Sequence, residues 1–106
     1  MTAPAEVLLA VLRYDVVPGS AARVPEVYPR HRAYLDTFAR SGDLLLIGTF
    51  EDPMVNGSQA LFRSKPAAER FIEADPFVLE GLVVPTVLEW TALDFTAPFS
   101  DGETTA

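Results

Sequence analysis

Blocks of apolar residues, separated by short stretches with proline, glycine or charge, run along the chain and predict four strands and two helices. Apolar or alternating runs of strand length predict the strands. The predicted strands are residues 7–12, 44–50, 58–62 and 83–93. Pro29 marks the first turn of one helix and Pro66 that of the other, because a proline there loses no helical hydrogen bond. The second helix is predicted to end before Pro76, which disfavours helical backbone in the preceding residue.

The first predicted helix carries an apolar stripe at helical spacing. The stripe consists of His31, Tyr34, Leu35, Phe38 and Ala39. Residues 16–25 before it contain two prolines and a glycine and are predicted to form a loop. Gly42 after it stands where a C-terminal cap belongs. The stripe therefore predicts a helix that packs against the sheet.

The predicted order β-α-β-β-α-β is that of the ferredoxin-like fold, an α+β domain with two helices on one face of a four-stranded sheet. A sheet with one solvated face shows alternating apolar and polar residues. Residues 7–12 and 44–47 do not alternate, so both faces of these strands are expected to be buried. Two helices cover only one face. We therefore predict a homodimer whose two sheets pack face to face.

Length and composition fit one domain, predicted over residues 1–95, with a flexible C-terminal tail at 96–106. The chain has no cysteine, which excludes disulfides and thiolate metal sites. A net charge of −7, spread along the chain, argues against nucleic-acid binding, which depends on cations that neutralise phosphates. No apolar stretch reaches the length of a signal core or a membrane span, so we expect a cytoplasmic protein without a membrane partner.

His31 is the single histidine of the chain and the first candidate for acid–base chemistry, because imidazole exchanges protons near neutral pH. By spacing alone, a packed histidine without a chemical role is the favoured alternative. Asp75, just before Pro76, is the second candidate, and capping of local backbone is its alternative role. The two helices run in opposite directions, so a His31–Asp75 contact is geometrically reasonable. A carboxylate there fixes the tautomer of the imidazole.

Ser58, Tyr34 and Arg30 are predicted to line a substrate site. Ser58 lies at a turn, and Tyr34 lies one helical turn from His31, where core packing is the alternative role. Arg30 offers a cation for a substrate carboxylate, as does Arg13, and the sequence does not choose between them. No metal-ligand spacing and no phosphate-binding glycine motif is recognisable, so neither a metal nor a cofactor is predicted.

Several stretches, in this order and spacing, resemble those of the YCII-related proteins. They are residues 30–35 (RHRAYL), 42–48 (GDLLLIG), 57–58 (GS) and 74–82 (ADPFVLEGL), followed by a strand that contains tryptophan. The resemblance covers about residues 5–95 and includes the histidine of the first helix and the aspartate before proline.

This resemblance implies a dimeric α+β barrel, similar to muconolactone isomerases, with His31 and Asp75 as a catalytic dyad in a cleft between helices and sheet. It also implies isomerase- or lyase-like proton transfer, of the dehydrochlorinase kind. Residues 15–27, 48–49 and 53–55 depart from the family pattern around the expected mouth of the cleft. The identity of the substrate is therefore not carried over.

Three functions are open at this point. The first is a cofactor-independent enzyme for a small, anionic or cyclic organic molecule, in which His31 moves a proton and Asp75 orients it. The second is a non-catalytic ligand-binding or regulatory homodimer that uses the same cleft. The third is a structural dimer without a ligand. A His31–Asp75 hydrogen bond beside a cleft favours the first two, and turnover separates the enzyme from the binder.

Overall fold

The computed structural model describes residues 4–96 of the chain, as one antiparallel sheet with helices. The strands are β1 (Ala5–Val16), β2 (Leu44–Thr49), β3 (Ser58–Phe62) and β4 (Val83–Asp94), in the spatial order β2-β3-β1-β4. The helices are α1 (Val24–Phe38), α2 (Pro53–Asn56), α3 (Lys65–Ala74) and α4 (Pro76–Leu79). Single 3-10 turns flank α1 at Ala21–Arg23 and Ala39–Ser41. The predicted α+β, ferredoxin-like order of elements is confirmed, with α2 and α4 as additional short helices.

Helix α1 begins at Val24, so the prediction that Pro29 opens this helix is wrong, and the end of the predicted loop at residues 16–25 is helical. Pro25 occupies the first turn, where its missing N–H costs no hydrogen bond. Pro29 lies inside the helix and deprives the carbonyl of Pro25 of its helical donor. Val27 is 1% exposed, and its burial packs the additional turn onto the core. This tertiary packing outweighs the local preference of proline for the first turn of a helix.

Strands β1 and β4 are longer than predicted and pair along their full length, from Ala5 opposite Asp94 to Val16 opposite Val83. The polar residues that begin at Arg13 do not end β1, although the sequence pattern predicts an end there. Backbone pairing with β4 continues through them, because the hydrogen bonds of a ladder do not depend on side-chain polarity.

The helix-facing side of the sheet carries the core. On β1 this side consists of even-numbered residues, and Ala10, Leu12 and Tyr14 are all buried. The rings of Phe62 in β3 and Phe71 in α3 pack with centroids 5.4 Å apart. Burial of each such side chain contributes about 2–3 kcal/mol. The ring of Phe38 in α1 packs on the same Phe62, with centroids 6.0 Å apart. These contacts hold α1 and α3 on the sheet and so decide which of their side chains meet.

The opposite face of the sheet is apolar and exposed. Leu46, Leu88 and Trp90 are 67%, 56% and 46% exposed. Strand register places Leu46 beside Leu61, and Val11 lies between Leu61 and Leu88, so the patch is continuous across all four strands. Apolar patches of this kind mark interaction sites. The face that the sequence pattern predicts to need a cover is uncovered in the single chain.

No helix within residues 4–96 has the length and hydropathy needed to cross a membrane. The predicted tail at residues 96–106 lies outside the described residues, apart from Thr96. The domain limits 1–95 and 96–106 therefore stay a prediction.

Candidate active site

Asp75 lies at the junction of α3 and α4, where Pro76 keeps its backbone extended (φ −69°, ψ 122°) and ends α3. Its Oδ1 accepts a hydrogen bond from the N–H of Phe77 at 3.1 Å and so caps α4. The residue is fully buried. A buried carboxylate is tolerated only when donors surround it.

His31 contacts this carboxylate from the middle of α1. Its Nδ1 lies 2.7 Å from Asp75 Oδ1, and the residue is 6% exposed. Because an ionised carboxylate only accepts hydrogen bonds, the contact places the ring proton on Nδ1. Nε2 then keeps a free lone pair with which it can take a proton from a ligand. The predicted His31–Asp75 contact is present, and its chemical role is a proposal.

Tyr14, which the sequence pattern does not single out, supplies a further donor. Its hydroxyl donates to Asp75 Oδ2 at 2.5 Å inside the core. Burial, and then the charge of Asp75, raise the pKa of the Tyr14 hydroxyl above its ordinary value, so the group stays protonated and donates. Alternate residues of a strand lie on the same face, so Tyr14 shares the buried face of Ala10 and Leu12. This two-residue period is the sequence feature from which the burial of Tyr14 could have been predicted.

A cleft of about 500 Å³ opens beside His31. This volume is in the range of small-molecule sites. Apolar side chains form most of its wall, among them Val24, Leu35, Ile47, Met54 and Phe77. Polar side chains at the wall include Tyr14, His31, Arg32, Thr49 and Ser58. The wall is thus apolar with a few polar groups, the usual composition of a site that binds and orients a small organic molecule.

Of the three predicted substrate-binding residues, Ser58 lines the cleft and the other two do not. The hydroxyl of Tyr34 donates to the carbonyl of Phe71 at 2.8 Å, so core packing, its alternative role, describes it. Arg30 lies 3.6 Å from Glu80 in a surface ion pair. The structure therefore places Tyr34 and Arg30 outside the cleft.

Arg32 stands at the cleft in place of Arg30. Two further residues along a helix turn the side chain by about 200°, which brings it to the other side of α1. Its guanidinium donates to the hydroxyl of Tyr28 at 3.4 Å and to Asp36 at 3.0 Å, each one turn away. These hydrogen bonds raise the pKa of Arg32 above its ordinary value. No other arginine or lysine of residues 4–96 lines the cleft.

Within residues 4–96, no group of three or more His, Cys, Asp or Glu side chains is arranged to hold a metal ion. Both oxygens of Asp75 already accept hydrogen bonds from protein donors. The expectation of a site without a metal or cofactor stays a prediction.

The chain is similar in structure to TftG, a 5-chloro-2-hydroxyhydroquinone dehydrochlorinase from Burkholderia phenoliruptrix in complex with 2,5-dihydroxybenzoquinone. The TM-score is 0.62 at 25% identity, over 77% of this chain and 92% of TftG. SnoaB, a cofactor-independent oxygenase from Streptomyces nogalater, gives a TM-score of 0.45 at 21% identity, over 82% of this chain and 92% of SnoaB. No protein-family model and no curated protein matches the sequence. The resemblance to YCII-related proteins therefore stays a prediction, while the α+β fold is shared with TftG.

Proposed function

We propose that this protein is a cofactor-independent enzyme that transfers a proton on a small organic molecule, with His31 and Asp75 as its catalytic dyad. The observation that carries the proposal is the 2.7 Å contact of His31 Nδ1 with Asp75 Oδ1 at the wall of the cleft. The carboxylate fixes the tautomer and stabilises the imidazolium that forms. A positioned base of this kind contributes on the order of 10²–10⁴ in rate.

The reaction runs through Nε2 of His31. This nitrogen takes a proton from a C–H or O–H group of the ligand, and the released electron pair moves into the carbon framework. In an elimination that pair forms a double bond, the leaving group departs with its own bonding pair, and the imidazolium releases its proton to solvent. In an isomerisation the imidazolium returns the proton to a different atom. Either reaction balances without an oxidant, a reductant or a second substrate.

The likeness to TftG favours the elimination and a hydroxylated ring as substrate. TftG is a dehydrochlorinase of a chlorinated hydroxyhydroquinone, and its structure contains a dihydroxylated quinone. In this chain the hydroxyls of Ser58 and Thr49 face a largely apolar cleft, which suits a flat ring with oxygen substituents.

Arg32 favours an anionic member of that class. The protein carries a net charge of −7, so an anion gains from a cation at the place where it enters. A guanidinium pairs with a carboxylate or phenolate through charge-assisted hydrogen bonds. The anionic ligand expected from the sequence therefore has its partner in Arg32 and not in Arg30.

We further propose that the enzyme is a homodimer that pairs through the apolar sheet face around Leu46, Leu88 and Trp90. A second copy offers the same apolar surface by symmetry, which an isologous contact requires. The cleft is on the helix-bearing side of the sheet, so this contact leaves it open.

Chloride release from 5-chloro-2-hydroxyhydroquinone tests the reaction. The wild-type protein is expected to release chloride above the uncatalysed rate, and His31→Ala is expected to lower kcat/KM by at least about 10². Arg30→Ala is the matched control, because Arg30 is on the same helix outside the cleft. The protein is also tested with a panel of small lactones and hydroxylated aromatic acids.

Two outcomes contradict the proposal. Folded His31→Ala protein that turns over an accepted substrate at the wild-type rate removes the dyad from the mechanism. Binding of 2,5-dihydroxybenzoquinone without turnover of any compound in the panel supports the ligand-binding module instead.

A further inference from the structure

Tyr14 differs from the two dyad residues because it comes from the sheet. Strand β1 carries it on the helix-facing side, and its hydroxyl reaches Oδ2 of Asp75, the oxygen that His31 does not contact. The N–H of Phe77 contacts Oδ1 as well. Three donors from three parts of the fold therefore hold one buried carboxylate.

The two oxygens of Asp75 are held in different ways. Oδ1 accepts hydrogen bonds from two groups, Nδ1 of His31 and the N–H of Phe77. Oδ2 accepts a hydrogen bond from one group within residues 4–96, the hydroxyl of Tyr14. Without this hydroxyl, Oδ2 is a buried acceptor with no partner, which costs free energy. Rotation of the carboxylate toward other donors then competes with its contact to Nδ1.

The backbone of Tyr14 is itself held in place. Gly57 packs so closely against β1 that a Cβ at this position would overlap the carbonyl oxygen of Tyr14. The phenol therefore extends from a strand that is braced by its neighbour β3, with Tyr14 opposite Ser58 in the register. A side chain on such a support can hold another group in a narrow range of positions.

We propose that Tyr14 is the positioning residue of the site: its hydroxyl locks the Asp75 carboxylate so that Oδ1 meets Nδ1 of His31. The fixed tautomer then leaves Nε2 as the basic nitrogen. This inference rests on the proposed function and adds a third residue to it. Tyr14 acts through Asp75 and exchanges no proton with the substrate.

The single histidine makes a direct test available, because ¹⁵N-histidine labelling gives the imidazole signals of His31 alone. In the wild-type protein we expect the Nδ1–H tautomer and a downfield, slowly exchanging Nδ1 proton. In Tyr14→Phe we expect a mixture of tautomers, with the Nδ1 proton shifted upfield and exchanging faster. Tyr34→Phe is the matched control, since it removes a hydroxyl that is bonded to the Phe71 carbonyl and not to Asp75.

A Tyr14→Phe protein with the wild-type imidazole spectrum overturns the inference. If circular dichroism shows that this variant is unfolded, a second measurement tests the inference. Incorporation of 3-fluorotyrosine into the Tyr28→Phe, Tyr34→Phe protein labels Tyr14 alone and makes its hydroxyl a stronger donor. The Nδ1 proton resonance of His31 is then expected to move, and an unchanged resonance also overturns the inference.

These spectra require no substrate, so they are independent of turnover. An unchanged tautomer in Tyr14→Phe, together with loss of turnover in His31→Ala, rejects the role of Tyr14 and keeps the dyad. A mixed tautomer in Tyr14→Phe, with unchanged turnover in His31→Ala, rejects the dyad as catalyst and keeps Tyr14 as the residue that orders it.

Discussion

The imidazole ring of His31 lies flat on the ring of Phe77, with centroids 4.0 Å apart and planes within 12° of parallel. Phe77 follows Asp75 by two residues, so one short segment supplies both the carboxylate and the stacking surface. The hydrogen bond fixes how the imidazole is rotated within its plane, and the stacking fixes its tilt.

Phe77→Leu is expected to loosen the imidazole without removing its hydrogen bond. Loss of the aromatic pair costs about 1–2 kcal/mol in free energy of unfolding. The ring protons of His31 lose the ring-current shift that Phe77 causes, which ¹H NMR detects. Phe71→Leu serves as the comparison, because Phe71 is buried and its ring packs on Phe38, whereas the ring contacts of His31 are with Tyr28 and Phe77. Loss of Phe71 is expected to lower stability without moving these signals. Equal His31 shifts in wild type and Phe77→Leu contradict the stacking.

Asp75→Asn is expected to remove the charge that stabilises the His31 imidazolium. The amide keeps the shape of the side chain, and its oxygen can still accept from Nδ1 and from the N–H of Phe77, but it carries no negative charge. The turnover assay is therefore expected to show kcat/KM lowered on the order of 10²–10⁴. Glu69→Gln, on the exposed side of α3 and outside the cleft, is the control and keeps the wild-type activity. Full activity of a folded Asp75→Asn protein is incompatible with the proposed mechanism.

Tyr14 is expected to make the protein sensitive to alkali. Burial raises the pKa of its hydroxyl above the ordinary value near 10, so above that pH the unfolded chain releases a proton that the folded chain keeps. Stability is therefore complete below pH 10 and falls above it, by up to about 1.4 kcal/mol per pH unit. Urea unfolding between pH 8 and pH 11 measures the slope, which is expected to be smaller in Tyr14→Phe. Parallel slopes in the two proteins speak against a buried, protonated Tyr14.

The apolar sheet face predicts how the dimer is broken. Leu88→Glu places a charge in the middle of the face, and a buried charge without a partner is strongly unfavourable. Light scattering is expected to show a dimer for the wild type and a monomer for this variant. Leu79→Glu is the control, since Leu79 is 67% exposed on α4, which packs against α1 on the helix-bearing side, and the variant should stay a dimer. A monomeric wild-type protein at micromolar concentration would falsify the proposed homodimer.

Gly57→Ala is expected to destabilise the fold where Gly57 packs against the backbone of Tyr14. Gly57 has φ +79°, and a Cβ there meets the backbone oxygen of Tyr14, which no side-chain rotation relieves. We expect a loss of about 2–3 kcal/mol in free energy of unfolding. Gly48→Ala is the matched control, because no atom lies within 4 Å of its added Cβ and its φ is not positive. Equal unfolding midpoints for the two variants contradict this close approach.

The amino-acid pattern alone predicts the order of strands and helices and places His31 on the buried side of α1. It also ends α3 before Pro76, which puts Asp75 in the extended position that it occupies. These features follow from local rules, namely periodicity and the backbone limits of proline. The start of α1 at Val24 does not follow from these local rules. The position of Pro29 favours a later start, and the burial of Val27 in the core outweighs it.

The tertiary structure alone decides how the site is assembled. Tyr14 and Asp75 are 61 residues apart, and their contact depends on strand register and on the placement of α3, neither of which a local pattern encodes. The choice of Arg32 over Arg30 at the cleft depends on the rotation of α1 against the sheet. The sequence by itself determines which elements form and which of their faces are buried. The hydrogen bonds of the site need side chains placed to within a few tenths of an ångström, which only the packed core provides.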